Sequence, residues 1–106
     1  MSQAVTRTDY KTFKDFYPYY LEEHSNQTNR RLHVIGTLSA TLSLILILFT
    51  MQLRLLWVPL LIGYGFAWVG HFFFEKNKPA TFKYPLFSLR GDWKMLAQVL
   101  TGKIAF

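Results

Sequence analysis

The sequence predicts an all-α membrane protein, a helical hairpin of two transmembrane helices flanked by N- and C-terminal interfacial amphipathic helices. Three observations carry that reading. No charged side chain occurs from Val34 to Leu53 or from Leu55 to Phe74, so Arg54 alone separates two uncharged runs of twenty residues. At about 1.5 Å of rise per residue, each run as a helix reaches across a hydrocarbon core about 30 Å thick. The cations flank the runs: Arg30 and Arg31 precede the first, and Lys76, Lys78 and Lys83 follow the second. This positive-inside pattern predicts an integral membrane protein with both termini in the cytoplasm, in a bacterial inner membrane or the endoplasmic reticulum.

Each element follows from local signals. Residues 1 to 7 show no pattern that asks for structure. Thr8 or Asp9 is suited to cap a short helix whose Tyr10, Phe13, Phe16 and Tyr17 form an aromatic face, and Pro18 is expected to interrupt it and begin a second helical segment. Tyr17, Tyr20 and His24 continue at helical spacing, which turns His24 toward the bilayer or the bundle. Ser25 to Asn29 is a polar connection, and Asn29, one turn before His33, is placed to bond its ring or to cap the first span.

The spans are expected at approximately 33–52 and 56–75, helical because lipid offers no partner to a bare peptide group. The short turn makes them antiparallel neighbours, and Pro59 falls in the first turn of the second, where its missing N–H does no harm. His33, Gly36, Ala40 and Ser43 recur at three and four on one helix; Gly63, Ala67, Gly70 and His71 cluster on the other. Such small residues let membrane helices approach closely, and His33 and His71 should lie at depths matching to about one 5.4 Å turn. Lys76 to Pro79 end the second helix. Pro79 to Pro85 is not expected to be regular helix, and Phe82 and Tyr84 suit the headgroup boundary. Gly91 and Asp92 then mark a helix start, after which Trp93, Leu96, Ala97 and Leu100 form an apolar face over which Lys94 and Lys103 can snorkel. This last helix should lie on the membrane or fold back on the bundle.

The chain of 106 residues is read as a single integral membrane domain over 1–106, too short to add a large soluble core to two spans. Its net charge of +6 is accounted for by topology, which removes the case for nucleic acid. Cysteine is absent, excluding disulfides and thiolate metal sites. A cleavable signal peptide is not expected, because Asp9, Asp15, Glu22 and Glu23 stand where an apolar segment would be required.

Chemistry must come from few residues: the three histidines His24, His33 and His71, with Glu75 and nearby polar groups. An ionisable residue in or beside a span is costly and marks a functional site by default. Neutral imidazole is the commonest metal ligand, and three of them leave positions open on iron or zinc. The bland alternative gives each histidine an ordinary interhelical hydrogen bond. Glu75, four residues after His71, would share its helical face and complete a metal site or orient His71; otherwise it is a solvated partner of Lys76 and Lys78. Two other functions fit the same residues: a b-type haem held axially by His33 and His71, or a non-enzymatic membrane scaffold or assembly protein. An oligomer is compatible with either.

Three stretches carry a resemblance. Tyr20-Leu21-Glu22-Glu23-His24, Asn29-Arg30-Arg31-Leu32-His33-Val34-Ile35-Gly36, and Val69-Gly70-His71-Phe72-Phe73-Phe74-Glu75-Lys76-Asn77-Lys78-Pro79-Ala80 resemble motifs of the small membrane family that includes the fungal 2-hydroxy fatty acid dioxygenase. The similarity runs from about Phe16 to Pro85, and its Gly-His-x-x-x-Glu-x-x-x-Pro-Ala block is the most specific part. The resemblance implies an iron(II)-dependent dioxygenase in which O2 and a 2-hydroxy fatty acid give a fatty acid one carbon shorter. By the same motifs it implies that His24, His33 and His71 are the Fe(2+) ligands. The tail of such a substrate would lie along the apolar helices, with Arg30, Arg31, Lys76 or Lys78 available to steer its carboxylate.

Overall fold

A computed structural model describes residues 10–78 and 82–106; the expected caps Thr8 and Asp9 and the start of the Pro79 to Pro85 connection lie outside them. The described residues form four α-helices, a 3-10 turn and a π-helical turn, with no strand. Helix α1 spans Phe13–Glu22 and is capped by Thr12, whose hydroxyl accepts from the Asp15 amide at 3.2 Å. Pro18 does not interrupt it. Pro18 and Lys14, whose carbonyl loses its helical donor, both lie on the exposed side, while Phe13, Phe16, Tyr17 and Tyr20 are buried along the other. Packing of that aromatic face outweighs the local cost of the proline.

Helix α2 spans Gln27–Phe49. It is capped by Asn26 rather than Asn29: the Asn26 side chain accepts from the Asn29 amide at 3.1 Å, which starts the helix six residues before the expected span. After the turn, Leu53–Leu55 form the 3-10 segment, Trp57–Val69 form α3, and Gly70–Glu75 form the π-helical turn, closed by Lys76 at a left-handed φ of 64°. Gln27–Phe49 and Leu53–Glu75 are each 23 residues long and apolar enough to cross a bilayer. Only 22% of either apolar window is buried. A core helix of a soluble protein would be mostly enclosed, so these surfaces suit lipid. The small-residue stripes meet at Gly63 and Ala40, and α2 and α3 approach so closely at Gly36 that a Cβ there would lie 2.6 Å from that of Phe66.

Helix α3 is followed by α4, Pro85–Leu100. It starts at Pro85, not at Gly91 and Asp92: proline is preorganised for the first helical position. Gly91 is buried in mid-helix, where a Cβ would come within 3.0 Å of the Tyr20 ring. The helix folds back on the bundle. Phe13, Phe16, Tyr17 and Tyr20 of α1 pack with Val34 of α2 and Met95 and Leu96 of α4 in one core at the histidine end of the hairpin. The Tyr17 hydroxyl bonds Gln98 Oε1 at 2.5 Å, and Trp93 Nε1 donates to Thr41 Oγ1 at 2.8 Å. Lys94 does not simply snorkel; its ammonium lies 4.4 Å from the centre of the Tyr17 ring.

Candidate metal centre

Each histidine reaches the centre for a local reason. Helix α1 ends at Glu22, and the His24 amide bonds Leu21 O. That leaves Tyr20 O without its helical donor, and His24 Nδ1 takes it at 2.6 Å. His33 lies two turns into α2, and its Nδ1 meets Asp92 Oδ1 of α4 at 3.2 Å. The Tyr20 hydroxyl donates to the same Asp92 oxygen. His71 sits in the π-helical turn, and its Nδ1 meets Asn77 Oδ1 at 2.6 Å. The Asn77 amide nitrogen donates to Glu23 Oε1 at 3.1 Å, which orients its oxygen toward the ring.

These partners decide what faces inward. A carbonyl, a carboxylate and an amide oxygen can only accept, so all three Nδ1 atoms carry the proton and all three Nε2 atoms present lone pairs. Nε2 of His24 lies 3.1 Å from Nε2 of His33 and 3.1 Å from Nε2 of His71. The three rings are 1%, 6% and 1% exposed, and their ligand atoms fall within 4.8 Å of one another. Three converging acceptors, buried and without a proton to share, are a donor set that could hold a cation. With metal–nitrogen bonds of about 2.1 Å and angles near 90°, neighbouring nitrogens would stand about 3.0 Å apart, close to the distance of His24 Nε2 from each of the other two. Burial, and then the neighbouring His33, hold the His24 pKa well below the usual imidazole range, which keeps it neutral and able to ligate. Burial and Asp92 push the Tyr20 hydroxyl well above its ordinary pKa, so it stays protonated and donates.

The other sequence-predicted residues occupy distinct positions. Glu75 does not meet His71. In a π turn the backbone bonds run from i to i+5, so His71 O accepts from the Lys76 amide; the left-handed Lys76 then brings the Asn77 backbone amide to the same oxygen at 3.0 Å, and residue 77, not 75, comes over the ring. Glu75 instead accepts from Ser25 Oγ at 3.0 Å, the Asn26 amide at 2.9 Å and Asn29 Nδ2 at 3.1 Å, a carboxylate at the positive end of α2. Asn29 does not bond the His33 ring; its amide bridges Glu75 and Glu23 O. Its Oδ1 lies where a Cβ on Gly70 would come within 2.0 Å, so Gly70 is required for this seat. Arg30 bonds Ala105 O at 3.0 Å and His24 O at 3.2 Å, and Arg31 bonds Phe106 O at 3.1 Å. Lys76 and Lys78 are exposed.

A cavity of about 220 Å³ opens from the rings between α2, α3 and α4. Arg30, Arg31, Lys76 and Lys78 do not line it; Thr37, Thr41, Ser88 and Asp92 supply polar atoms along an otherwise apolar wall. Sequence reasoning missed Asp92, Asn77 and Ser88. A usable signal for two of them was present: Ser88 and Asp92 stand one turn apart on the face of α4 that also carries Met95, and a carboxylate there needs a partner. The haem alternative fails on geometry. The His33 and His71 ring centres are 4.9 Å apart with His24 against both, which leaves no room for a porphyrin between them.

Neither the curated proteins nor the solved structures contain a match to this chain. A family model does match, over residues 10–104, and its description is 2-hydroxy-palmitic acid dioxygenase Mpo1-like. The match spans all three histidines, the Asn77 and Asp92 that orient two of them, and nearly the whole of the chain, which therefore belongs to the Mpo1-like family.

Proposed function

We propose that this chain is an iron(II)-dependent dioxygenase that converts 2-hydroxy fatty acids to fatty acids one carbon shorter. The observation that carries the reading is the meeting of three buried Nε2 lone pairs at the head of an apolar cavity, in a chain whose family is described by that chemistry. The atoms balance: a 2-hydroxy acid and O2 give the shortened acid, carbon dioxide and water. Iron held by His24, His33 and His71 would supply the redox chemistry and leave positions open for substrate and oxygen; zinc in the same ligands would not perform it. The protein's own part is positional. Asp92 holds the Nδ1 proton of His33, fixing the ring and raising the basicity of its Nε2, and Asn77 and Tyr20 O do the same for His71 and His24. The burial of the rings keeps water from competing with the substrate for them.

In this reading both termini and the histidine centre lie at the cytoplasmic boundary of the bilayer, and the 2-hydroxy fatty acid enters from the membrane. Arg30, Arg31, Lys76 and Lys78 form a positive rim that draws a carboxylate toward that boundary. Anaerobic loading with iron(II), then exposure to oxygen with 2-hydroxypalmitate, should yield pentadecanoic acid by mass analysis. Unchanged substrate with metal-replete protein would overturn the proposal.

A further inference from the structure

The cavity below the histidines has a definite length. Along α2 its lining runs from His33 to Leu44, and at the far end Pro59 and Leu60 at the start of α3 are the last lining residues. Eleven residues of helix cover about 16 Å, and one leaflet of a bilayer, half of a core about 30 Å thick, is about 15 Å deep. The cavity is thus as long as one acyl tail of an ordinary membrane lipid. It is open sideways, because Leu60, Tyr64, Trp68 and Trp93 line it and are themselves exposed. Small residues make the space: Ala40 and Gly63 face each other, with a Cβ on Gly63 lying 3.7 Å from that of Ala40, and Ala67 follows one turn nearer the histidines.

The histidine end carries a second pointer. Ser88 is 3% exposed, lines the cavity, and its hydroxyl has no hydrogen-bond partner among the described residues. A buried hydroxyl left alone is costly. Ser88 stands one helical turn from Asp92 on α4 and lines the same cavity as the rings, so its hydroxyl is available to the polar head of a molecule seated there.

We propose that the cleft between α2, α3 and α4 is a laterally open slot for a single long acyl chain lying along the helices within one leaflet, its carboxylate accepting a hydrogen bond from Ser88. The inference deepens the proposed function by assigning the tail site and a contact for the head, and it rests on that reading only for the polar end. The length of the slot sets the preferred substrate: a tail as long as those of the surrounding lipids fills it, and a short one leaves the Leu44 and Leu60 end empty.

Native mass spectrometry of the whole purified chain, metal-free and in detergent, tests this with saturated acids of eight to twenty-two carbons. Palmitate lacks the 2-hydroxyl group, so its binding is read independently of turnover. The expected result is one palmitate per chain, at least tenfold tighter than octanoate, with no gain beyond about twenty carbons. Ser88→Ala should weaken palmitate about threefold to tenfold, the worth of one hydrogen bond, without changing the order of chain lengths. Ala67→Phe should abolish binding, whereas Leu61→Phe, which places the same ring on the opposite face of the hairpin, should leave it intact; unaltered helical circular dichroism qualifies each variant. Equal affinity for octanoate and palmitate, or displacement by Leu61→Phe but not Ala67→Phe, would overturn the slot. Saturable palmitate binding without turnover of 2-hydroxypalmitate would support the slot and count against the dioxygenase alone; turnover without saturable binding would do the reverse.

Discussion

Replacing Asp92 with asparagine isolates the contribution of a residue that would touch neither the metal nor the substrate tail. The carboxylate accepts from the Tyr20 hydroxyl and from His33 Nδ1 at 3.2 Å through a single oxygen. The amide keeps size, shape and one acceptor oxygen, so both bonds can still form, but they become neutral. A hydrogen bond to a charged group contributes about 1.5–3 kcal/mol and a neutral one about 0.5–1.5 kcal/mol, so two weakened bonds cost the fold about 2 kcal/mol in total. The metal senses a different quantity. Coordination makes the His33 N–H more acidic, and a carboxylate behind it is worth more when metal is bound than when it is not. Loss of such a partner typically lowers affinity 10- to 100-fold, or about 1.4–2.7 kcal/mol. Chelator competition with zinc or iron(II) on purified Asp92→Asn protein should therefore show affinity down by one to two orders of magnitude with one site retained. Tyr20→Phe, which leaves Asp92 in place but removes its second donor, should have a smaller effect. Affinity within twofold of the parent for Asp92→Asn would refute the role assigned to this carboxylate and weaken the case that His33 is a ligand.

Three further outcomes follow from the same geometry. Glu75→Gln should lower stability by about 1–2 kcal/mol, because three donors at the start of α2 lose a charged acceptor, while metal stoichiometry stays at one; loss of the metal would make Glu75 a ligand. Metal should be retained at neutral pH and released only as pH falls below the ordinary imidazole range, because burial holds His24 below that range and protonated imidazole cannot ligate. The sign is fixed: acid favours the free protein, and tighter binding at low pH would contradict ligation by histidine. Because the chain has no cysteine, Gln52→Cys and Thr101→Cys are clean reporters of topology. An impermeant thiol reagent should label them from opposite sides of the membrane, with Thr101→Cys on the cytoplasmic side, and labelling of both from one side would rule out a spanning hairpin.

The hairpin was legible in the sequence because its signal is local and redundant: two charge-free runs, a single arginine between them and small residues at helical spacing. His24, His33 and His71 were legible as candidates because imidazole is rare and expensive at a membrane boundary. Their convergence was expected from the matching depths of His33 and His71 and from the family resemblance, and the structure brings the three together; what no local pattern states is the folding of α1 onto α4 that carries His24 there. Pro18 and Gly91 misled for one reason. Each is a helix breaker by propensity, yet Pro18 lies on the exposed side of a helix pinned by four buried aromatic residues, and Gly91 is where the Tyr20 ring presses against α4. Asp92, read as a helix start, orients His33 from 59 residues away. The π turn was hidden because His71 and Glu75 have the spacing of an ordinary helix. The wider turn is visible only once the Lys76 amide is seen to reach His71 O.

X-ray absorption at the iron edge of anaerobically reconstituted protein addresses the metal centre most directly. The geometry predicts three imidazole nitrogens at about 2.1 Å, the spacing that a common centre for the three Nε2 atoms requires, with the imidazole signal lost in the His24→Ala, His33→Ala, His71→Ala variant. A shell of oxygen alone, or the scattering of a single imidazole, would show that the three rings do not share an ion.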